Sequence, residues 1–225
     1  MSGGEHDDYH VEPVPGLPEN LPPGEHILWQ GAPRWWDLAQ RVFHVRAVAA
    51  YFTLLVLVRS WMRLQHEGSH AAVLSLVSLL PFVMVGLGLL ALLAWLVGRT
   101  TLYTLTNRRV VFRVGIALPM AINIPFSKIA AAGLRLGADG TGDIVLTLVG
   151  GSRIAYSNLW PHVRPWRFRA PEPLLRTIGD AEAVATLLSA ALRGDVPAGA
   201  RSVSAPLPEQ AAKPQVISWR SVQIT

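Results

Sequence analysis

Apolar positions along this chain follow two periods. From residue 71 to 98 runs AAVLSLVSLLPFVMVGLGLLALLAWLVG, without a single Asp, Glu, Lys, Arg or His. A helix over it is about 42 Å long, against a hydrocarbon layer of about 30 Å. It lies too far from the N-terminus to read as a signal peptide. A second run, AVAAYFTLLVLV from Ala47 to Val58, is short for a span, but Arg46 and Arg59 flank it. Snorkelling arginines extend it to about residues 45–63. The polar stretch RLQHEGSH then reverses the chain. The pattern predicts a transmembrane helical hairpin over 45–98, with helices at about 45–63 and 71–98.

Beyond Gly98 the period shortens. TLYTLTNRRVVFRVG reads as two strands joined at Thr106-Asn107-Arg108, and PMAINIPF alternates between prolines. KIAAAGLRLGADGTGDIVLTLVGGSRIAYSNL predicts three strands, separated by GADGTG and by Gly150-Gly151. An irregular Pro/Trp/Arg stretch covers residues 160–173. DAEAVATLLSAALRG then sets Val184, Leu187, Leu188 and Leu192 at helical spacing, with Asp180 as N-cap and Gly194 as stop. Six or seven strands closed by one amphipathic helix predict a small antiparallel barrel or bent sandwich over 99–195. Ahead of the hairpin, Ile27, Leu28 and Trp29 form a short strand within a 27–44 segment. Residues 1–26 and 196–225 read as tails, the first acidic and disordered, the second Pro/Ala/Ser-rich and flexible.

Charge gives the hairpin an orientation. Arg34, Arg41 and Arg46 precede it, Arg99, Arg108, Arg109 and Arg113 follow it, and only Arg59 and Arg63 lie in its turn region. The positive-inside rule then puts both termini in the cytoplasm. The chain carries 20 basic and 15 acidic residues, and only Lys128 and Lys213 of the basic ones are lysines. In a membrane protein that balance points to anionic lipid and acidic protein surfaces rather than nucleic acid. There is no cysteine, which excludes disulfides and thiolate-ligated metals.

No motif of catalysis stands out. GADGTGD and LVGGS lack the Gly-Lys-Ser/Thr ending of a phosphate loop and read as turns. His66, Glu67 and His70 fall in the polar reversal. The two apolar runs carry no histidine, Asp or Glu, which argues against a conduit or a pigment holder. Trp29, Trp35, Trp36, Trp61 and Arg99 are the residues expected at the membrane interface. The distinctive segment is LWPHVRPWRFRAPEPLLR, in which aromatic rings alternate with guanidinium groups. Such a surface suits a protein hot spot or a lipid headgroup layer. Its candidate partner-binding residues are Trp160, His162, Arg164, Trp166 and Arg167; the competing reading is a covering loop whose tryptophans pack on the barrel.

GEHILWQG, YTLTNRRVVFRVG and INIPFSKI, followed by the closing helix, resemble the bacterial pleckstrin-homology-like domain of small membrane proteins. The VEPVPGLPENLPPGEHILWQGAP opening and the WPHVRPW and PEPLLR segments narrow the likeness, over roughly residues 9–195, to the PuhB family of photosynthetic complex assembly proteins. The resemblance implies a mainly-β pleckstrin-homology-like barrel capped by a C-terminal helix. It implies a non-enzymatic assembly factor of the bacterial inner (intracytoplasmic) membrane, with no cofactor. Its expected partners are reaction-centre and core antenna membrane subunits, with self-association and anionic lipid besides, and no nucleic acid. That family is drawn with three membrane segments, whereas here Pro119, Asn123, Pro125 and Lys128 interrupt the third. A lipid-headgroup-binding or scaffolding module without a photosynthetic client is the alternative.

Overall fold

The computed structural model describes Leu17, residues 20–116, 118–137, 139–150 and 154–195, and the pair Val203–Ser204. A first strand, β1 (Ile27–Gly31), leads into a short helix, α1 (Trp35–Arg41), and then into two long helices, α2 (Val45–Glu67) and α3 (Ser69–Thr100). Both are long and apolar enough to cross a membrane. The polar reversal is tighter than RLQHEGSH suggested: the helices consume all of it except Gly68, which turns the chain at φ 85°. An Arg63–Glu67 ion pair one turn apart keeps the end of α2 helical. The helix α3 runs unbroken through Pro81. Where α2 meets it, a Cβ added at Gly86 would lie 3.7 Å from the Phe52 ring.

Helix α3, at 32 residues, is about 48 Å long and outruns the hydrocarbon layer. Its last turns have another task. Ala94 and Val97 are buried against Leu38 and Ala39 of α1. At Gly98 an added Cβ would sit 2.8 Å from the Trp35 Cβ. Its missing side chain lets α1 lie across the root of α3. By contrast, no residue of α2 is buried, and the apolar side chains Leu54, Leu57, Val73, Val77, Phe82 and Met84 stand open.

After α3 come β2 (Leu102–Thr106), β3 (Arg109–Val114), β4 (Met120–Pro125), β5 (Ile129–Leu136) and β6 (Gly142–Leu148). They are followed by a helical turn, α4 (Tyr156–Leu159), then β7 (Leu174–Ile178), α5 (Ala181–Arg193) and β8 (Val203–Ser204). Strand pairing gives a five-stranded sheet in the order β4-β3-β2-β1-β8 and a three-stranded sheet β5-β6-β7. The two sheets and α5 enclose one core that includes Trp29, Tyr103, Phe112, Ile144, Leu146 and Leu188. This is a mainly-β, pleckstrin-homology-like domain with a C-terminal helix. The third strand expected after Gly150-Gly151 is not formed by the described residues: Tyr156–Leu159 make a helical turn instead. The strand that completes the small sheet is β7, from the LLRTI that follows Pro173.

Strand β1 pairs antiparallel with β2, Gln30 opposite Thr104 and Gly31 opposite Tyr103. The domain read as 99–195 is therefore assembled from both sides of the hairpin, which is inserted between two neighbouring strands. The motif TNRR explains how the halves are joined. Thr106 Oγ1 accepts from the Arg108 and Arg109 amides and shapes the β2–β3 turn. Asn107 Nδ2 donates to the Gly24 carbonyl, and Asn107 Oδ1 accepts from the His26 amide. Arg109 Nε donates to the Glu25 carboxylate at 2.8 Å, its carboxylate almost wholly shielded. Residues 24–26 are thus fastened to the sheet, and Leu17 is buried, so the expected disordered tail over residues 1–26 does not extend as far as residue 26. Helix α5 starts after Asp180 as expected, but Asp180 makes no side-chain cap. Gly194 ends it at φ 78°, and the Asp195 amide donates to the Ala190 carbonyl.

Candidate docking surface

Two sites on the domain adjoin the root of the hairpin. One is the loop from Trp160 to Arg169. Its base is a buried polar network. The His162 ring, 1% exposed, meets Tyr103 Oη through Nδ1 at 2.6 Å and Thr101 Oγ1 through Nε2 at 3.0 Å. A neutral imidazole suits both contacts, one ring nitrogen donating and the other accepting. Burial, and then the nearby Arg176 charge, lowers the His162 pKa to about 3. Burial likewise pushes the Tyr103 hydroxyl upward. The Arg176 amide donates to Tyr103 Oη, while its guanidinium donates to the carbonyls of Pro161 and Val163 on either side of His162. Desolvation lowers the Arg176 pKa, opposed chiefly by Asp143.

Above this base the loop is exposed. Trp166 is 85% accessible and Phe168 is 61%, their rings in edge contact with each other at 6.2 Å. Trp160 is half exposed and packs edge-on against Phe43, just ahead of α2. Arg164 donates to Glu172 at 2.9 Å, and Arg167 lies 3.9 Å from the same carboxylate. A cleft of about 390 Å³ separates Trp160, Trp166 and Phe168 from Arg41, Val42 and His44. The loop therefore presents Trp160, Trp166, Arg164 and Arg167 beside the start of α2. His162 is not part of that surface. It is a core residue that shapes the loop from below, and proline-rich surroundings gave no sign of this.

The second site is an open cleft of about 1510 Å³ on the α5 side of the hairpin root. Trp35, Trp36 and Arg99 line it together with Val184 and Leu187 of α5 and Leu136 of β5. Trp35 and Trp36 are 43% and 53% exposed, and Arg99 stacks over Trp95 at 4.9 Å. Trp61 is exposed near the far end of α2. Three of the five interface candidates, Trp35, Trp36 and Trp61, thus stand exposed, and Arg99 is half-buried at the root of the hairpin. Trp29 differs from all four. It is 3% exposed, in the core against Gly31, on a strand whose residues 28–31 are all buried.

An ionic clasp that composition did not reveal fixes α1 to the small sheet. Asp139, in the β5–β6 turn, takes Arg41 at 3.1 Å and Arg34 at 3.6 Å, and accepts from Thr141 Oγ1. The Thr141 hydrogen bond, with help from Arg41, holds its carboxyl below the usual range. GADGTG is a turn, as read, but one that grips the linker to the two long helices. Among the described residues no group of His, Cys, Asp and Glu is arranged to hold a metal ion.

Comparison with known proteins agrees with this architecture. Residues 42–192 match the family described as Bacterial PH domain. The chain is 40% identical over 186 residues, 82% of its own length and 87% of the relative's, to a protein of Rhodobacter capsulatus named "Uncharacterized 23.7 kDa protein in puhA 5'region". No solved structure gives a significant match. With the hairpin-inserted sheet, the closing helix and a match spanning two thirds of its length, the chain belongs to the bacterial PH domain family.

Proposed function

We propose that this protein is a membrane-anchored, non-enzymatic assembly factor for the photosynthetic reaction centre and core light-harvesting complex. In this reading α2 and α3 cross the inner (intracytoplasmic) membrane, and the domain lies on the cytoplasmic face. The observation that carries it is the insertion of the hairpin between β1 and β2. Strands joined by backbone hydrogen bonds must stand on one side of a bilayer, so a crossing hairpin returns to its starting side. Arginine asymmetry supports the cytoplasmic side. The unburied faces of α2 and α3 offer lateral surface to membrane subunits, and the Trp160–Arg169 loop offers rigid aromatic anchors beside them. The photosynthetic client is supported by the sequence resemblance and by the puhA-region relative.

The test is affinity purification of the tagged full-length chain from pigmented membranes, followed by mass spectrometry. Reaction-centre or core antenna subunits co-purify with the wild type, and a Trp166→Ala/Phe168→Ala variant recovers several-fold less of them at unchanged chain level. Absence of every photosynthetic subunit, with strong flotation on anionic vesicles, refutes the assembly reading and favours a headgroup-binding module.

A further inference from the structure

Arg99 stands at the top of an apolar track on α3. Leu89, Leu92 and Trp95 are exposed, and they reach Arg99 in steps of three, three and four residues, the spacing that keeps side chains on one side of a helix. The Arg99 guanidinium lies over the Trp95 ring. The same residue lines the cleft of about 1510 Å³ beside the hairpin root. One side chain thus joins the apolar flank of α3 to that cleft.

The cleft has two chemical parts. Its apolar lining includes Trp35, Leu136 and Leu187, and its charged lining is Arg34, Arg99, Asp180 and Glu182. Arg34 is already matched, to Asp37 at 3.3 Å and Asp139 at 3.6 Å. Arg99, Asp180 and Glu182 have no ion-pair partner among the described residues, and the Asp180 carboxylate does not cap α5 although it precedes it. One free cation and two free carboxylates therefore line a single cavity. A small-molecule pocket holds about 300–1,000 Å³, so this cleft has room for an elongated ligand with a long apolar part.

We propose that this cleft holds a membrane phospholipid with a zwitterionic, primary-ammonium headgroup, drawn from the leaflet beside α3. This rests on the reading of α2 and α3 as membrane-crossing, and it is independent of the client. The acyl chains lie along Leu89, Leu92 and Trp95 and on the apolar lining, so the lipid enters without its chains crossing water. Arg99 takes the phosphate through its fork of N–H donors. Asp180 and Glu182 accept from the ammonium. Charge complementarity selects this headgroup: an anionic glycerol lipid satisfies Arg99 but sets its excess charge against two carboxylates. A choline headgroup offers them no N–H. Bound in this way, the lipid fills the gap between α1, the root of α3 and α5 and fixes the domain against the bilayer.

The test is native mass spectrometry of the full-length chain in mild detergent, with equimolar phosphatidylethanolamine, phosphatidylglycerol and phosphatidylcholine of identical acyl chains. Three variants accompany it, each checked for folding by thermal unfolding. Asp180→Asn/Glu182→Gln removes the ammonium acceptors, and asparagine tolerates the left-handed backbone at 180. Arg99→Gln removes the phosphate donor. Ala183→Trp fills the cleft from an exposed position on α5. Wild type should retain phosphatidylethanolamine about tenfold over the other two, the effect of one hydrogen bond between charged groups. The double variant should lose that preference, Arg99→Gln should bind all three about tenfold less, and Ala183→Trp should lose the retained lipid. Equal retention of the three lipids by wild type, or preference for glycerol or choline, overturns the proposal. So does a preference that the folded variants keep, the result expected if lipid binds only around the helices or if protein fills the cleft. Release of the chain from membranes by alkaline carbonate sinks the membrane reading along with it, whereas client capture, scored separately, bears only on the assembly role.

Discussion

Acid weakens this domain through a single buried ring. His162 contacts Thr101 and Tyr103 with both of its nitrogens and lies where Arg176 opposes a second positive charge. Its pKa falls from 6.5 to about 3 on folding. Between those values the unfolded chain binds a proton that the folded chain refuses, so stability rises with pH across that window and is lost as pH falls. Each pH unit below 6.5 costs about 1.4 kcal/mol, which makes the loss about 2 kcal/mol at pH 5. That is a large share of the stability of a domain held by about 5–15 kcal/mol. The assay is denaturant unfolding of the full-length chain in detergent, followed by tryptophan fluorescence from pH 7.5 to pH 4.5. His162→Gln removes the titrating group and keeps polar atoms in the pocket, so its curve should lie flatter by that amount. Equal slopes for the two proteins would refute the reasoning, whatever their absolute stabilities.

Trp29→Ala empties a core position and should cost about 3–5 kcal/mol, whereas Trp36→Ala should stay within about 0.5 kcal/mol of wild type. Thermal unfolding of the two variants side by side measures this. Gly98→Val forces a side chain into the Trp35 backbone and should pry α1 from α3, costing about 1–3 kcal/mol and raising proteolysis between Gly31 and Val45. Glu25→Gln weakens the shielded pair with Arg109, whose own side chain is 27% exposed. The expected loss is about 1–3 kcal/mol, with faster hydrogen exchange at the amides of residues 25–27, readable by mass spectrometry.

Local patterns alone determined the hairpin, the β2–β3 turn at Thr106-Asn107-Arg108, the amphipathic α5 and its glycine stop. Each depends on residues within a turn or two of one another, where period and capping chemistry act directly. Tertiary structure alone decided that GEHILWQG and YTLTNRRV, separated by the whole hairpin, are neighbouring strands of one sheet. It also decided that Trp29 and His162 lie inside while Trp36 and Trp166 lie outside. A tryptophan gains from leaving water in a core or at an interface alike, so its identity does not report which. Strand β7 escaped because five residues bounded by prolines and glycine carry little periodicity, and only its ladder to β6 defines it.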